Sequence, residues 1–136
     1  MDKIADYTLS TGTAAQDTID SVSGAVAANA SNVDVSGADK DGNAADIKAK
    51  VVDGILTLSG ADVAVIDTIG EWIDVAEIVL DATAATAGAL AFEFDNNTYL
   101  IEDAADNNTD NIIELTGLTG VAAVDTAAAL DAIVIA

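Results

Sequence analysis

The chain has 136 residues, enough for one domain or one compact module, and 51% of them are apolar, too many for a disordered segment. Twenty-four Asp and Glu stand against four lysines (Lys3, Lys40, Lys48, Lys50), with no Arg and no His, for a net charge of −20. Such a surface repels phosphate, so neither nucleic acid nor an anionic membrane is expected as a partner, and cations are the natural ones.

Cys is absent, which removes disulfides and thiolate metal sites, and Pro is absent, which leaves turns to Gly, Asn, Asp and Ser. No window approaches about 18 consecutive apolar residues, so no membrane insertion is expected. The opening "MDKIADYTLSTG" lacks the basic-then-apolar pattern of an N-terminal signal peptide. The apolar residues are mostly Ala, Val, Ile and Leu, with Tyr7, Trp72, Phe92, Phe94 and Tyr99 as the aromatics. That mix predicts closely spaced elements.

In chain order, "DTIDSV" and "NVDVSG" alternate apolar with polar residues and predict half-buried strands. The "SGAVAANAS" between them reads as a short helix or an irregular crossover. Asp41-Gly42 marks a turn, and Asn43 is placed to cap a short helix running to about Lys50. Gly54 ends it, and Ile55–Leu58 follows as a strand with Ile55 and Thr57 on one face, Leu56 and Leu58 on the other. In "ADVAVIDTIGEWIDVAEIVLDA", Ile66, Ile69, Ile73, Ala76 and Leu80 step by three and four, the stripe of an amphipathic helix. Its N-cap is Asp62 or Asp67. Asp67, Asp74 and Asp81, with Glu71 and Glu77 nearby, form the opposing wet face, and Trp72 lies at the stripe edge. Gly70 in the interior predicts a kink or close packing.

A hairpin comes next. With Asn96-Asn97 as its turn, Phe94 faces Tyr99 and Phe92 faces Ile101, all four on one face, while Glu93, Leu100 and Glu102 take a more solvated face. "NIIELTG" gives a third strand with Ile113 and Leu115 aligned, and "DAIVIA" a final apolar strand that needs a sheet to dock on. "VSG", "LSG" and "LTG" (Val35–Gly37, Leu58–Gly60, Leu115–Gly117) recur as a strand-end signature without a fixed period.

These residues carry a resemblance. "KIADYTLSTGTAAQDTIDSVS" resembles the I-x-D-F … D-x-I-D-L strands that follow calcium-binding β-rolls. "DGILTLSG", an amphipathic helix, and "LAFEFDNNTYLIEDAADNNTDNIIELTGLTGV" are similar to the C-terminal module of bacterial type I-secreted RTX and S-layer-like surface proteins. There a G-x-x-A-F-x-F-x-x-x-T-Y-L hairpin precedes an acidic loop and an I-x-L-T-G strand, and "ALDAIVIA" suits the apolar last strand. The similarity covers most of the chain and is firmest from about Gly54 onward. It implies an extracellular module carrying an uncleaved C-terminal export signal, with the type I secretion machinery and like subunits as partners. Two departures stand out. The chain has no G-G-x-G-x-D-x-U-x repeat, and it starts at Met1 with no upstream passenger. The reading is therefore either an excised terminal module or a small self-sufficient, assembling protein.

Tested for chemistry, the sequence offers an enzyme little. It has no His base and no Cys nucleophile, no G-x-S-x-G elbow around any of its six serines, and no Arg clamp. Glu93 and Glu102 fall on the same hairpin face, as a glycosidase pair would need, but their plain reading is two exposed strand carboxylates. For calcium, taken as the candidate cofactor, two Asp/Asn-rich turns supply hard oxygens: Asp39, Asp41, Asn43 and Asp46, and Asp103, Asp106, Asn108 and Asp110. Neither is an EF-hand. In the first, Gly42 falls two places early and Lys50 stands where the bidentate Glu belongs. Asn29, Asn96 and Asn107 head Asn-x-Ser/Thr sequons, whose plain reading in a bacterial protein is turn chemistry. The "NVDVSG" strand and the terminal Ile133, Val134 and Ile135 are candidate sheet edges for strand addition between subunits.

The sequence thus predicts an α+β fold, a β-rich single module over residues 1–136. Residues 1–60 form its strand-rich N-terminal portion, and residues 61–136 hold a prominent amphipathic helix and a C-terminal antiparallel hairpin plus terminal strand. It predicts a non-catalytic extracellular role in export and cell-surface assembly. Its rivals are a self-assembling filament subunit and a halophilic soluble protein whose acidic surface stays hydrated in salt.

Overall fold

Two tight hairpins and one helical crossover organise the chain. The protein, seen here in a computed structural model, is described over residues 1–5, 19–20, 25–83, 88–103, 109–126 and 132–135. Its strands are β1 (Asp2–Ile4), β2 (Ile19–Asp20), β3 (Ala30–Asp34), β4 (Lys48–Val52), β5 (Ile55–Ser59), β6 (Gly88–Phe94), β7 (Asn97–Asp103), β8 (Thr109–Leu115), β9 (Val124–Thr126) and β10 (Ala132–Ile135), with one α-helix, α1 (Ile69–Thr83). A seven-stranded mixed sheet runs β1-β8-β7-β6-β5-β4-β3, and a small sheet runs β2-β10-β9. The architecture is α+β and mostly β. The large sheet takes strands from both sides of residue 60.

The β4–β5 hairpin turns at Asp53 (φ 50°) and Gly54 (φ 74°), both left-handed as a two-residue turn matched to strand twist requires. The helix expected from Asn43 to Lys50 is therefore not there. Ala49 and Val51 are buried while Lys50 and Val52 are exposed, a period of two that the Asp-Gly-Asn turn signal hid. The "SGAVAANAS" segment is irregular over its described residues, touching the sheet through a Val26↔Ala89 bridge and joining β3 at Ala30. The three strand-end tripeptides do stand at the ends of β3, β5 and β8.

The expected helix forms, starting at Ile69. Thr68 is its cap: its Oγ1 accepts from the Glu71 N–H (3.3 Å), and the Glu71 carboxylate accepts from the Thr68 N–H (3.1 Å), a reciprocal capping box. Gly70 falls in the first turn, with open space where a Cβ would sit, so it neither kinks the helix nor marks close packing. β5 and β6 run parallel, which demands a crossover, and α1 supplies it.

Hairpin β6–β7 turns at Asp95 (φ 49°) and Asn96 (φ 61°), one residue before the expected turn. Phe92 thus faces Tyr99, and Phe94 faces Asn97. The ladder slips by two residues in total, which preserves the faces. Phe92, Phe94, Tyr99 and Ile101 still share one side, where Val75, Ala76, Val79 and Leu80 of α1 pack on them. Trp72 stacks on Phe92 (centroids 5.1 Å) and Phe92 on Tyr99 (5.4 Å), each contact contributing about 0.5–1.5 kcal/mol beyond burial.

The other side of the sheet is not the solvated face expected. Ala89, Ala91, Leu100, Ile113 and Leu115 are buried against Ile19, Val124 and Ile135 of the small sheet, and Glu102 is fully buried with them. A helix lies on one face of the seven-stranded sheet and a second sheet on the other.

Candidate functional site

The first calcium candidate is a turn wound around one carboxylate. Asp39 is buried, and its Oδ1 accepts from the Asp41 N–H (2.9 Å) while its Oδ2 accepts from the N–H groups of Asn43 and Ala44 (both 2.6 Å). Burial pushes this carboxyl up, but the N–H groups of Ala44, Asp41, Asn43 and Gly42 together outweigh it and hold the group below its ordinary range. Asp41, Asn43 and Asp46 are exposed. The main-chain N–H groups of Ala45 and Asp46 are held by Asp62 Oδ2 (2.9 and 3.0 Å). The cluster is thus organised by backbone donors reaching inward to carboxylates. Among the described residues no three acidic side chains converge as a metal site would need.

Of the second candidate, Asp103 is buried at the end of β7. Asp106 and Asn108 lie outside the described residues, and Asp110 is described only through its backbone in β8.

Glu71 holds a place the sequence pattern assigns to solvent. It is buried, and its Oε1 accepts from the Lys40 N–H (3.2 Å). Its Oε2 accepts from the Thr68 hydroxyl (2.7 Å) and from the N–H groups of Asp67 and Thr68 (3.2 and 3.1 Å). The Thr68 hydroxyl lowers this carboxyl most, against burial, and the N–H groups of Lys40, Thr68 and Asp67 add to the effect. Beside it Lys40 pairs with Asp74, which holds the ammonium above its usual value. Helix start and acidic turn are therefore one unit. The signal for it in the sequence is Thr-x-x-Glu, residues 68–71. Asp67 and Asp81 do face solvent.

Glu93 and Glu102 do not form a pair. Glu93 lies opposite Thr98 and Glu102 opposite Ala89, four steps apart along the ladder, or roughly 13 Å, and Glu102 is fully buried while Glu93 is exposed. That is beyond the carboxylate separations of glycosidases. Glu102 accepts from Asn111 Nδ2 (3.1 Å). Exposed Glu93 instead directs one oxygen at the Gly120 and Val121 N–H groups. It stands over a cleft of about 330 Å³ that opens where β5 and β6 part, with Trp72 on the helix side and Val121 on the other.

The edges also differ from expectation. β10 is the middle strand of the small sheet: Ile133 pairs with both Ile19 and Thr126, Val134 with Asp125, Ile135 with Val124, and the Ile135 side chain is buried. Ile133, Val134 and Ile135 therefore offer no free strand edge. The "NVDVSG" strand, β3, is an edge as expected, but its register breaks between Ala30 and Val33 with Asn32 at φ 60°, a bulge of the kind that blunts edge pairing. Of the sequons, Asn29 Oδ1 accepts from the Asp53 N–H (2.8 Å), and Asn96 sits in its hairpin turn with Thr98 fully buried. Asn107 is outside the described residues. Among the described residues no helix is long and apolar enough to cross a membrane.

Compared with protein-family models, with curated proteins and with solved structures, the chain matches none.

Proposed function

We propose that this chain is a non-catalytic structural module of an exported surface protein, the C-terminal region of a type I-secreted surface-layer or RTX-like protein, serving export and cell-surface assembly. The observation that carries the reading is the use made of its acids. Asp39, Asp62, Glu71 and Glu93 each hold backbone N–H groups, so these carboxylates act as fasteners, and no two of them are paired over a place where a reacting atom would sit. The resemblance of the β6–β8 sequence to terminal modules of secreted surface proteins points the same way. The exposed carboxylates leave calcium a role as counter-ion at the surface, where it bridges like subunits and relieves self-repulsion.

Electron microscopy and light scattering of the purified chain in millimolar calcium, in sodium chloride and in chelator test the reading. Lattices that need calcium are the expected result. A monomer under all three conditions removes assembly from the proposal. Low-salt unfolding that sodium chloride reverses as well as calcium does favours the halophilic reading instead. Export is tested separately by placing the chain behind a reporter in a host with a type I exporter: the reporter is expected in the medium, and its retention in the cell overturns that half.

A further inference from the structure

We propose that the opening between β5 and β6 is a binding site for a small hydrophobic amine, one apolar body carrying one ammonium. The inference is independent of the role proposed above. The two strands share a single register pair, Ile55↔Ala91, with the Ala91 N–H donating to the Gly54 carbonyl (2.8 Å). Beyond that pair lies the cleft of about 330 Å³ lined by Ile55, Leu56, Leu58, Trp72 and Val121, with Thr57 and Glu93 as its polar members. Its size is at the small end of ligand pockets and suits one ring or a short alkyl chain. The bonded pair at Ile55 closes one end, so a further strand does not fit between β5 and β6.

Charge selects the ligand. Glu93 is exposed at the rim, and one of its oxygens is fixed by the Gly120 and Val121 N–H groups. The other carries no hydrogen bond among the described residues and is left for a donor. The lining contains no cation: Lys3, Lys40 and Lys48 are engaged elsewhere by Glu114, Asp74 and Asp34, and Lys50, opposite Thr57 one strand beyond the cleft, makes no ion pair with Glu93 among the described residues. In a chain of net charge −20, an anionic ligand is repelled before it arrives, and a neutral one gains nothing from the rim. An ammonium is drawn in, pairs with the open oxygen, and leaves its apolar body against Trp72 and the leucines.

Trp72 is the single tryptophan of the chain and reports occupancy directly. Titrating the full chain at low salt with phenethylamine, 2-phenylethanol and phenylacetate should give a saturable change in Trp72 emission for the amine. The alcohol should bind about fivefold more weakly, the size of one rim charge contact, and phenylacetate not at all. Glu93→Gln should bring the amine down to the level of the alcohol. Because Glu93 also anchors residues 120–121, amide shift mapping on the unsubstituted protein provides a second readout, with amine-induced shifts expected at Leu56–Leu58, Glu93, Gly120 and Val121. A missing saturable response, equal binding of amine and phenylacetate, or shifts scattered over the acidic surface overturns the proposal.

Discussion

The two faces of the seven-stranded sheet are filled in different ways. Toward α1 the sheet presents Leu90, Phe92, Tyr99 and Ile101, large side chains that interlock with a helix. Toward the small sheet it presents Ala89, Ala91 and Leu100 together with buried Thr98 and Glu102. Ile113 and Leu115 join them against Ile19, Val124 and Ile135, and along the edge of β6 the Ala89 carbonyl accepts from the Ala27 N–H (2.8 Å) while the Ala89 N–H donates to the Ala25 carbonyl (2.9 Å). One face is closed by a helix and stacked aromatic rings, the other by the aliphatic side chains of a second sheet with polar groups buried among them. Damage should differ in kind, by cavities among the rings on the first face and by crowding at the close approach of Gly54 to Val26 and Val124 on the second.

The largest expected effect tests the helix-covered face. Phe92→Ala removes the ring between Trp72 and Tyr99 and should cost about 3–5 kcal/mol in urea unfolding. Gly54→Ala tests the other face. Its φ of +74° disfavours a side chain, and a Cβ there would lie 2.7 Å from Val124 Cβ and Val26 Cγ1, so a loss of about 2 kcal/mol is expected. If the faces are independent, the double variant loses the sum to within about 0.5 kcal/mol, and a shortfall would show coupling through the sheet.

The acidic turn sharpens the comparison, because it sits at the end of the helix face and is held by charge. Glu71 and Asp39 lie below their ordinary values of 4.5 and 3.8, and Lys48 with the Ser36 N–H brings Asp34 down to about 2. A depressed carboxyl adds stability that is complete above its unfolded value and is lost as pH falls through its folded one. The melting temperature should thus respond to Glu71 as pH falls below 4.5 and to Asp39 below 3.8, while Asp34, whose bond to Lys48 is in solvent, adds little. Protonating surface acids also relieves repulsion in this range, so the informative quantity is a difference: Glu71→Gln should flatten the upper end of the curve relative to the unsubstituted protein, measured by circular dichroism. Thr68→Ala, which removes one half of the capping box, should cost about 1 kcal/mol. Glu71→Ala should exceed it, since four donors lose their acceptor. The smallest effect is expected from Lys48→Ala: its bond to Asp34 is in solvent, and the melting temperature should not change measurably.

Much of the helix face is legible in the sequence. A three-four stripe names Ile69, Ile73, Ala76 and Leu80, and side-chain parity keeps Phe92, Phe94, Tyr99 and Ile101 together even though the turn falls one residue earlier. Periodicity survives a two-residue slip because strand faces alternate every residue. The opposite face misleads because Glu93, Leu100 and Glu102 share it in a pattern normal for solvent, and only the cover that Ile19, Val124 and Ile135 give Leu100 makes it a second buried face. Strand β4 is hidden by a local signal, Asp-Gly-Asn, that marks the turn before it and says little about the residues beyond. The candidate calcium turn is legible as a turn. Its acceptors are not, because Asp62 and Glu71 reach it from 16 and 31 residues away in sequence. The cleft at Trp72 leaves no trace in the sequence, since it arises from a ladder that stops after one pair.

The pairing of Asp2 with Ile113 and of Ile19 with Ile133 has a kinetic consequence. The first strands of the chain have no neighbours until residues more than a hundred positions later become available, so contact order is high and the search for the native state starts late. A chain still on the ribosome would have its helix and hairpins as fragments without their sheet partners. Closure of both sheets would come only once that last stretch was free.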